Sequence, residues 1–324
     1  MKDLVRVAYS LVAAVLAAQV AAPGASLAAQ DPQTAPPTFR TGVSRVAVAA
    51  TVRDRKGRPV ANLKAQDFEL VDSGVTRKIA EFRSETTAVS LAMLVDDSGS
   101  MVVGQKREVA KAVAEHLVQW LTPDVDRVAL FTFHQYLEEL QPLAPAPGKV
   151  SEKFGRLQSY GKTGLYDAIA EAGKVLSLQG GPRRALVVLT DGADNASRLT
   201  PGEVSGMASA IDVPVYVVVV VSPDEMVDRE APRGKELAAM LEGRLGDLAR
   251  WTGGEIFAAI NPASMSIAAR QIVEDLRHQY LITFEPSREP GWHPIDLRAR
   301  DKGLVVRARS GYIIQSSPVR PLVF

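Results

Sequence analysis

The hydrophobic pattern changes period twice along the chain. Residues 43–53 alternate or run apolar with β-branched side chains, and 55–59 carry a turn. Residues 68–71, the turn Asp72-Ser73-Gly74 and residues 75–82 read as strand, tight turn and strand. From Val89 onward short apolar runs alternate with helical spacing. Strands are expected at 89–95, 127–133, 185–189, 213–221 and 255–258. Helices are expected at 102–121, 165–178, 200–211, 236–252 and 264–277, and 136–143 is placed to pair with the 127–133 strand as an edge hairpin. The strands of this stretch are apolar on both faces. That belongs to a doubly wound, mainly parallel sheet covered by helices on each side. After residue 278 the helices stop, and strands are expected at 280–284, 294–300 and 304–309. β pieces this small seldom bury enough surface alone. The two flanking β segments are therefore expected to pack together into one accessory unit.

Composition narrows the function classes. The 324 residues hold 38 Lys and Arg against 37 Asp and Glu, without a run of five or six like charges, so there is no electrostatic footprint for nucleic acid. There are no cysteines, which excludes disulfides, thiolate metal sites and cysteine nucleophiles. The N-terminus has the order of a secretory signal. Lys2 and Arg6 precede an apolar run over 7–22, Pro23-Gly24 breaks it, and the small residues Ser26 and Ala28 stand where a signal cleaved after Ala28 requires them. A short membrane anchor is the competing reading, and the helix-breaking end favours cleavage. The expected organisation is a signal peptide at 1–28, a Pro-rich linker at 29–39, a β segment at 40–87, an α/β domain at 88–277 and a second β segment at 278–324. The exported product is expected to be periplasmic or extracellular, with no stable membrane span.

Three expected loops at the carboxyl edge of the sheet carry the chemistry, where ligands bind in open α/β folds. The first holds Asp96, Ser98 and Ser100. The second holds Thr163 in Gly161-Lys162-Thr163-Gly164. The third holds Asp191 in Asp191-Gly192, with Asp194 and Asn195 behind it. Two carboxylates and three hydroxyls form an all-oxygen set of the kind hard divalent cations require. Taken singly, Ser100 and Thr163 are also placed to cap the helices that follow them.

The order Asp-x-Ser-x-Ser, then Thr163, then Thr190-Asp191-Gly192 resembles the metal-ion-dependent adhesion site of the von Willebrand factor type A domain, over roughly 89–276. The flanks resemble a group of secreted bacterial proteins built on that domain: Gly57 to Phe68 before it, and Tyr280 to Phe284 and Arg309 to Tyr312 after it. The resemblance implies a divalent cation, Mg²⁺ first, with Mn²⁺ or Ca²⁺ as alternatives. It implies that Ser98 and Ser100 bind the ion directly, that Thr163 does so directly or through water, and that Asp96 and Asp191 act through waters. One coordination position would accept an Asp or Glu carboxylate of a partner protein. The function implied is a metal-dependent adhesion-type module, not an enzyme.

Two other functions compete. One is a structural envelope protein whose metal only stabilises the fold. The other is a metal-dependent hydrolase, for which Asp97 or Asp194 would have to serve as base. Residues 71–75 resemble the aspartate motif of subtilisin-like proteases, but the partner histidine and serine motifs are absent, so a hairpin turn is expected there. No His-Glu-x-x-His or phosphate-loop motif occurs. Asn195-Ala196-Ser197 matches a glycosylation acceptor, a chance match if the source is bacterial. Trp120 and Trp251 fall within helical patterns and are expected in the core, whereas Trp292 is expected to be exposed.

Overall fold

The computed structural model describes residues 45–84, 87–179, 183–222 and 232–314, with backbone alone at 209–211 and 232–236. The expected signal at 1–28, the linker at 29–39, residues 40–44 of the first β segment and residues 315–324 of the second lie outside the described residues.

The N-terminal β segment supplies β1 (Val46–Asp54), β2 (Phe68–Asp72), β3 (Val75–Arg77) and β4 (Ile79–Arg83). The α/β region follows with β5 (Ser90–Asp96), α1 (Lys106–Trp120), β6 (Arg127–Phe133), β7 (Leu137–Pro145), α2 (Val150–Phe154), α3 (Leu165–Leu178) and β8 (Arg184–Thr190). It continues through α4 (Pro201–Ile211), β9 (Val215–Val220), α5 (Pro232–Glu242), α6 (Arg244–Trp251), β10 (Ile256–Ala259) and α7 (Pro262–Arg277). The tail adds β11 (Tyr280–Phe284), β12 (Gly291–Ala299), β13 (Leu304–Ala308) and β14 (Gly311–Ile314).

The central sheet has the order β10-β9-β8-β5-β6-β7. Neighbouring strands are parallel except β7, which returns antiparallel beside β6. Alternation along each strand divides its side chains between two cores. Leu91, Met93, Val187, Leu189, Tyr216 and Val218 meet α1 and α7 on one face. Ala92, Leu94, Leu186, Val188, Val217 and Val219 meet α3, α4 and α6 on the other. This is the doubly wound, mainly parallel sheet. The chain leaves β5 toward β6 on one side and later returns to β8 on the other, so order reverses between β5 and β8. The crevice at that reversal is where such folds bind ligands.

The flanking segments do not form one sheet. They form two, β13-β1-β11-β4 and β14-β12-β2-β3. Every second residue faces inward: Val48, Ala50 and Val52, then Phe68 and Leu70, then Tyr280, Ile282 and Phe284, then Ile295 and Leu297. These side chains share one core with Tyr312, as in a sandwich of packed sheets. The expected strand over 75–82 is divided at Lys78. Its first part pairs with β2, and its second crosses to pair with β11.

Two helices also depart from expectation. The helix expected at 102–121 starts at Lys106, because Val103 is extended and Gly104 and Gln105 are left-handed, with φ of 64° and 61°. Residues 99–105 form a kinked 3-10 segment instead. A Cβ on Gly104 would collide with the Ser222 hydroxyl, so glycine permits the close approach of this segment to the end of β9. The helix expected at 236–252 is two helices divided at Gly243, where a Cβ would collide with the Ala239 carbonyl oxygen. Trp120 and Trp251 are exposed rather than core, and Trp292 is exposed on β12.

A buried ion cluster joins the sandwich to the α/β region. Asp275 of α7 accepts from Arg53 Nε of β1 at 2.8 Å and from Arg307 Nη2 of β13 at 2.5 Å. Arg307 also bonds Glu255, which accepts from Gln271 Nε2 at 2.9 Å. Burial pushes the Asp275 carboxyl up, and the two guanidiniums oppose that shift. Removing one member of such a cluster leaves uncompensated charge. Asp275→Ala is therefore expected to lower the unfolding free energy by about 3–5 kcal/mol. Urea unfolding with an unchanged m-value would show that loss as a shift of midpoint.

Candidate metal centre

Asp96 ends the central strand β5 and is fully buried. Its Oδ1 accepts from the Ser98 backbone N–H at 3.0 Å, and its Oδ2 accepts from Thr190 Oγ1 at 2.7 Å. Burial pushes the carboxyl up to about 6, opposed by the Ser98 and Thr190 hydrogen bonds and reinforced by the charge of Asp191. Thr190 Oγ1 in turn accepts from the Gly192 N–H at 3.0 Å, which shapes the loop that presents Asp191. Ser98 is buried, and its hydroxyl lies 3.1 Å from that of Ser100.

The second loop is tied to the first through its backbone. Gly99 N–H donates to the Gly161 carbonyl at 3.3 Å, and Tyr160 N–H to the Asp97 carbonyl at 2.9 Å. Asp97, considered above as a base, is occupied otherwise. Its Oδ1 accepts from Ser159 N–H and Oγ at 2.7 and 2.6 Å, and its Oδ2 accepts from Gln158 N–H at 3.3 Å. Asp97 holds residues 158–160 in place.

The third loop fixes Thr163, which is buried. Asn195 Oδ1 accepts from the Thr163 N–H at 2.9 Å, while the Thr163 carbonyl accepts from Asn195 and Ala196 N–H at 3.0 Å each. Asp194 Oδ1 accepts from Leu165 N–H, and Ser197 Oγ from Tyr166 N–H, each at 2.9 Å. So residues 194–197 satisfy the first turn of α3, and the apparent glycosylation acceptor is part of this clamp. The capping alternative fails on the same geometry. The residue preceding α3 is Gly164, the one preceding α1 is Gln105, and neither Thr163 nor Ser100 makes a side-chain cap.

Asp191 accepts from Lys106 Nζ at 3.1 Å. Nothing in the sequence marked Lys106, the bond of Thr190 to Asp96 or the 194–197 clamp. A lysine at the start of a helical pattern looks like any solvated lysine, and a threonine before Asp191 looks like strand. Asp194 and Asn195 were legible only as polar neighbours. The hairpin at Asp72 holds one surprise. His293 Nδ1 lies 3.2 Å from Ser73 Oγ, while His293 Nε2 lies 2.7 Å from the Glu289 carbonyl oxygen. Asp72 is engaged by Tyr312 OH and Arg77, and it approaches the same imidazole edge as Ser73. A backbone carbonyl rather than a carboxylate holds the far nitrogen, so the relay order of a hydrolytic triad is not present. The group closes the turn onto β12.

The donor set fits a hard cation. It is oxygen throughout, with two adjacent hydroxyls and two electrostatically coupled carboxylates at the sheet's reversal point. Among the described residues, no three His, Asp or Glu side chains gather in a metal-holding group, so the hydroxyls are essential to this reading.

The raised Asp96 carboxyl gives a signed prediction for chelated protein. Between pH values of about 4 and 6 the native chain holds a proton that the unfolded chain, at the ordinary value of 3.8, has released. Stability falls as pH rises through that window, by on the order of 3 kcal/mol once Asp96 is ionised. Melting temperature followed over that range in a chelator is expected to fall in the wild type and to flatten in Asp96→Asn.

Solved structures similar to this chain include a von Willebrand factor type A protein from Catenulispora acidiphila, at 14% identity, with 86% of this chain and 76% of that one covered and a TM-score of 0.46. An aerotolerance-related membrane protein from Bacteroides fragilis is 20% identical, with 58% of this chain and 98% of that one covered and a TM-score of 0.43. A proximal thread matrix protein of the mussel byssus, with a zinc-occupied MIDAS motif, is 13% identical, with 60% and 48% covered and a TM-score of 0.42. No curated protein matches the chain. Residues 91–193 match the family model of the von Willebrand factor type A domain. That segment runs from β5 through the loop after β8 and includes Asp96, Ser98, Ser100, Thr163 and Asp191. The chain therefore carries a von Willebrand factor type A domain, and all five oxygen-bearing residues lie within it.

Proposed function

We propose that this protein is an exported, non-enzymatic interaction module that recognises a partner's Asp or Glu carboxylate through a divalent cation. The observation that carries the reading is the cross-linking of the three loops. Asp96 is bonded to the first and third loops, Gly99 to Gly161, and Thr163 to Asn195, so the five oxygen-bearing residues belong to one held assembly. Ser98, Ser100 and Thr163 would hold the ion, with Asp96 and Asp191 accepting hydrogen bonds from its waters. Mg²⁺ suits this mixture of few charges and several neutral oxygens. The bound ion would supply a positive charge on which a partner carboxylate can close the coordination shell.

The surroundings support a protein partner. Val102 and Val103 follow the first loop, and Tyr136 and Tyr160 flank it from the β6–β7 turn and the second loop. These four are 59%, 62%, 70% and 58% exposed. Exposed apolar and aromatic side chains beside a polar centre are the composition of a protein-binding surface. A cavity of about 610 Å³ beside Asp191 is lined by Tyr166, Met240 and Arg244, and the arginine matches an acidic partner in charge. The expected signal over 1–28 supports export. Among the described residues, no helix is long and apolar enough to cross a membrane.

Calorimetric titration of Mg²⁺ and of Mn²⁺ tests the metal. One-site binding is expected in the wild type and its loss in Asp96→Ala and in Thr163→Ala. Binding in the wild type that persists unchanged in both variants would overturn the assignment. Capture of a partner that chelator releases, and that Thr163→Ala fails to capture while melting like the wild type, is the expected result for an adhesion module. Retained capture with lowered stability would indicate a metal that serves only the fold.

A further inference from the structure

Lys106 is the first residue of α1 and reaches back to the third loop, with Nζ 3.1 Å from Asp191 Oδ2. Their side chains are 11% and 7% exposed, so this is a largely desolvated pair rather than a surface one. Its position is costly for the helix. A cation in the first turn opposes the macrodipole, whose positive end lies there. Asp191 is among its partners and lies at the point where a cation is otherwise expected. The kink at Gly104 and Gln105 sets where α1 begins, and hence where this ammonium stands.

We propose that Lys106 is a built-in counter-cation that competes with the divalent ion for Asp191, so that the centre is charge-relieved without metal and fills only weakly by metal alone. This rests on the metal-dependent reading above. The charges at the centre partly balance without metal. Asp96 and Asp191 together offer two negative charges, and the ammonium leaves one. A divalent ion entering beside Lys106 meets a weaker field and a like charge. A partner carboxylate restores the missing negative charge. Metal and partner then bind with positive coupling, each raising the other's affinity. A site of this kind would stay largely empty until the partner arrives.

The test compares Mn²⁺ titrations of the purified wild-type chain, Lys106→Met, Lys106→Gln, Lys106→Arg and Asp96→Ala, together with melting in chelator and in saturating Mn²⁺. Even with water-like screening, a unit charge a few ångströms from a divalent ion is worth roughly tenfold in binding. Lys106→Met and Lys106→Gln are therefore expected to bind Mn²⁺ tighter by on the order of tenfold or more. Lys106→Arg, which keeps the charge, is expected to remain near the wild type. In chelator the two neutral variants are expected to melt below the wild type, and Mn²⁺ is expected to raise their melting temperatures more than it raises the wild type's. Either neutral variant suffices if the other fails to fold. Equal or weaker Mn²⁺ binding in the neutral variants, with binding still lost in Asp96→Ala, overturns the role of Lys106 and leaves the metal centre standing. Binding to none of the chains, the neutral variants included, overturns the metal centre and this inference with it.

Discussion

A carboxylate buried without exposure at the end of the central strand must be satisfied, and the loops around Asp96 are organised by that need. The sheet is apolar on both faces, so Asp96 has no solvent to turn to. Its two oxygens take the Ser98 amide and the Thr190 hydroxyl, which draws the loop after β5 and the end of β8 to one point. Those bonds leave the carboxyl still raised, because burial outweighs them. A fold that retains such a group does so at a cost. Retention is understandable where a cation, permanent or transient, recovers that cost.

The molecule handles another buried acid differently. Asp275 is enclosed by two guanidiniums from the sandwich, and with Glu255 the cluster balances within itself. It binds β1 and β13 to α7 and leaves nothing for a ligand to complete. Asp96 is held instead by an amide and a hydroxyl, and Asp191 has an ammonium on one oxygen. One end of the α/β region is thus electrostatically closed, and the other is left partly open. That asymmetry, rather than the number of acids at either end, distinguishes a structural cluster from a candidate binding centre.

Much of the sheet was legible because its strands are short apolar runs between turn residues, and the helices between them keep a 3.6-residue period. What escaped the sequence were decisions made by single contacts. Val102 has the spacing of a helical residue, yet Gly104 takes a left-handed conformation against Ser222 and moves the helix start to Lys106. Gly243 interrupts a continuous helical pattern because its backbone lies against Ala239. The strand after Gly74 changes sheets at Lys78, which no local propensity signals. Trp120 and Trp251 sit on helical faces whose exposure depends on what packs there, and among the described residues nothing covers them fully. At the centre, the oxygen-bearing residues were readable because their types and order are unusual. Their holders were not. Thr190, Asn195 and Ser197 act through hydrogen bonds to groups distant in sequence, and such roles depend on the tertiary path rather than on residue type.

The missed holders bear on function more than on fold. Thr163 presents its hydroxyl from a backbone clamped on both sides by Asn195, and the first N–H groups of α3 donate to Asp194 and Ser197 rather than to a cap of the helix's own. The position of Thr163 therefore depends on the loop after Asp191, and hydrogen bonds tie the two loops together. Gly99 and Gly161 couple the first loop to the same body. A centre built in this way has little freedom to adjust one donor at a time. Displacement of Lys106 from Asp191 would be felt at Thr163 through the 191–197 loop and at Asp96 through Thr190. Under the proposed function, an ion at the centre would thus be coupled to the edge that carries the exposed valines and tyrosines, and this would be the physical link between a single cation and a surface wide enough to recognise a protein.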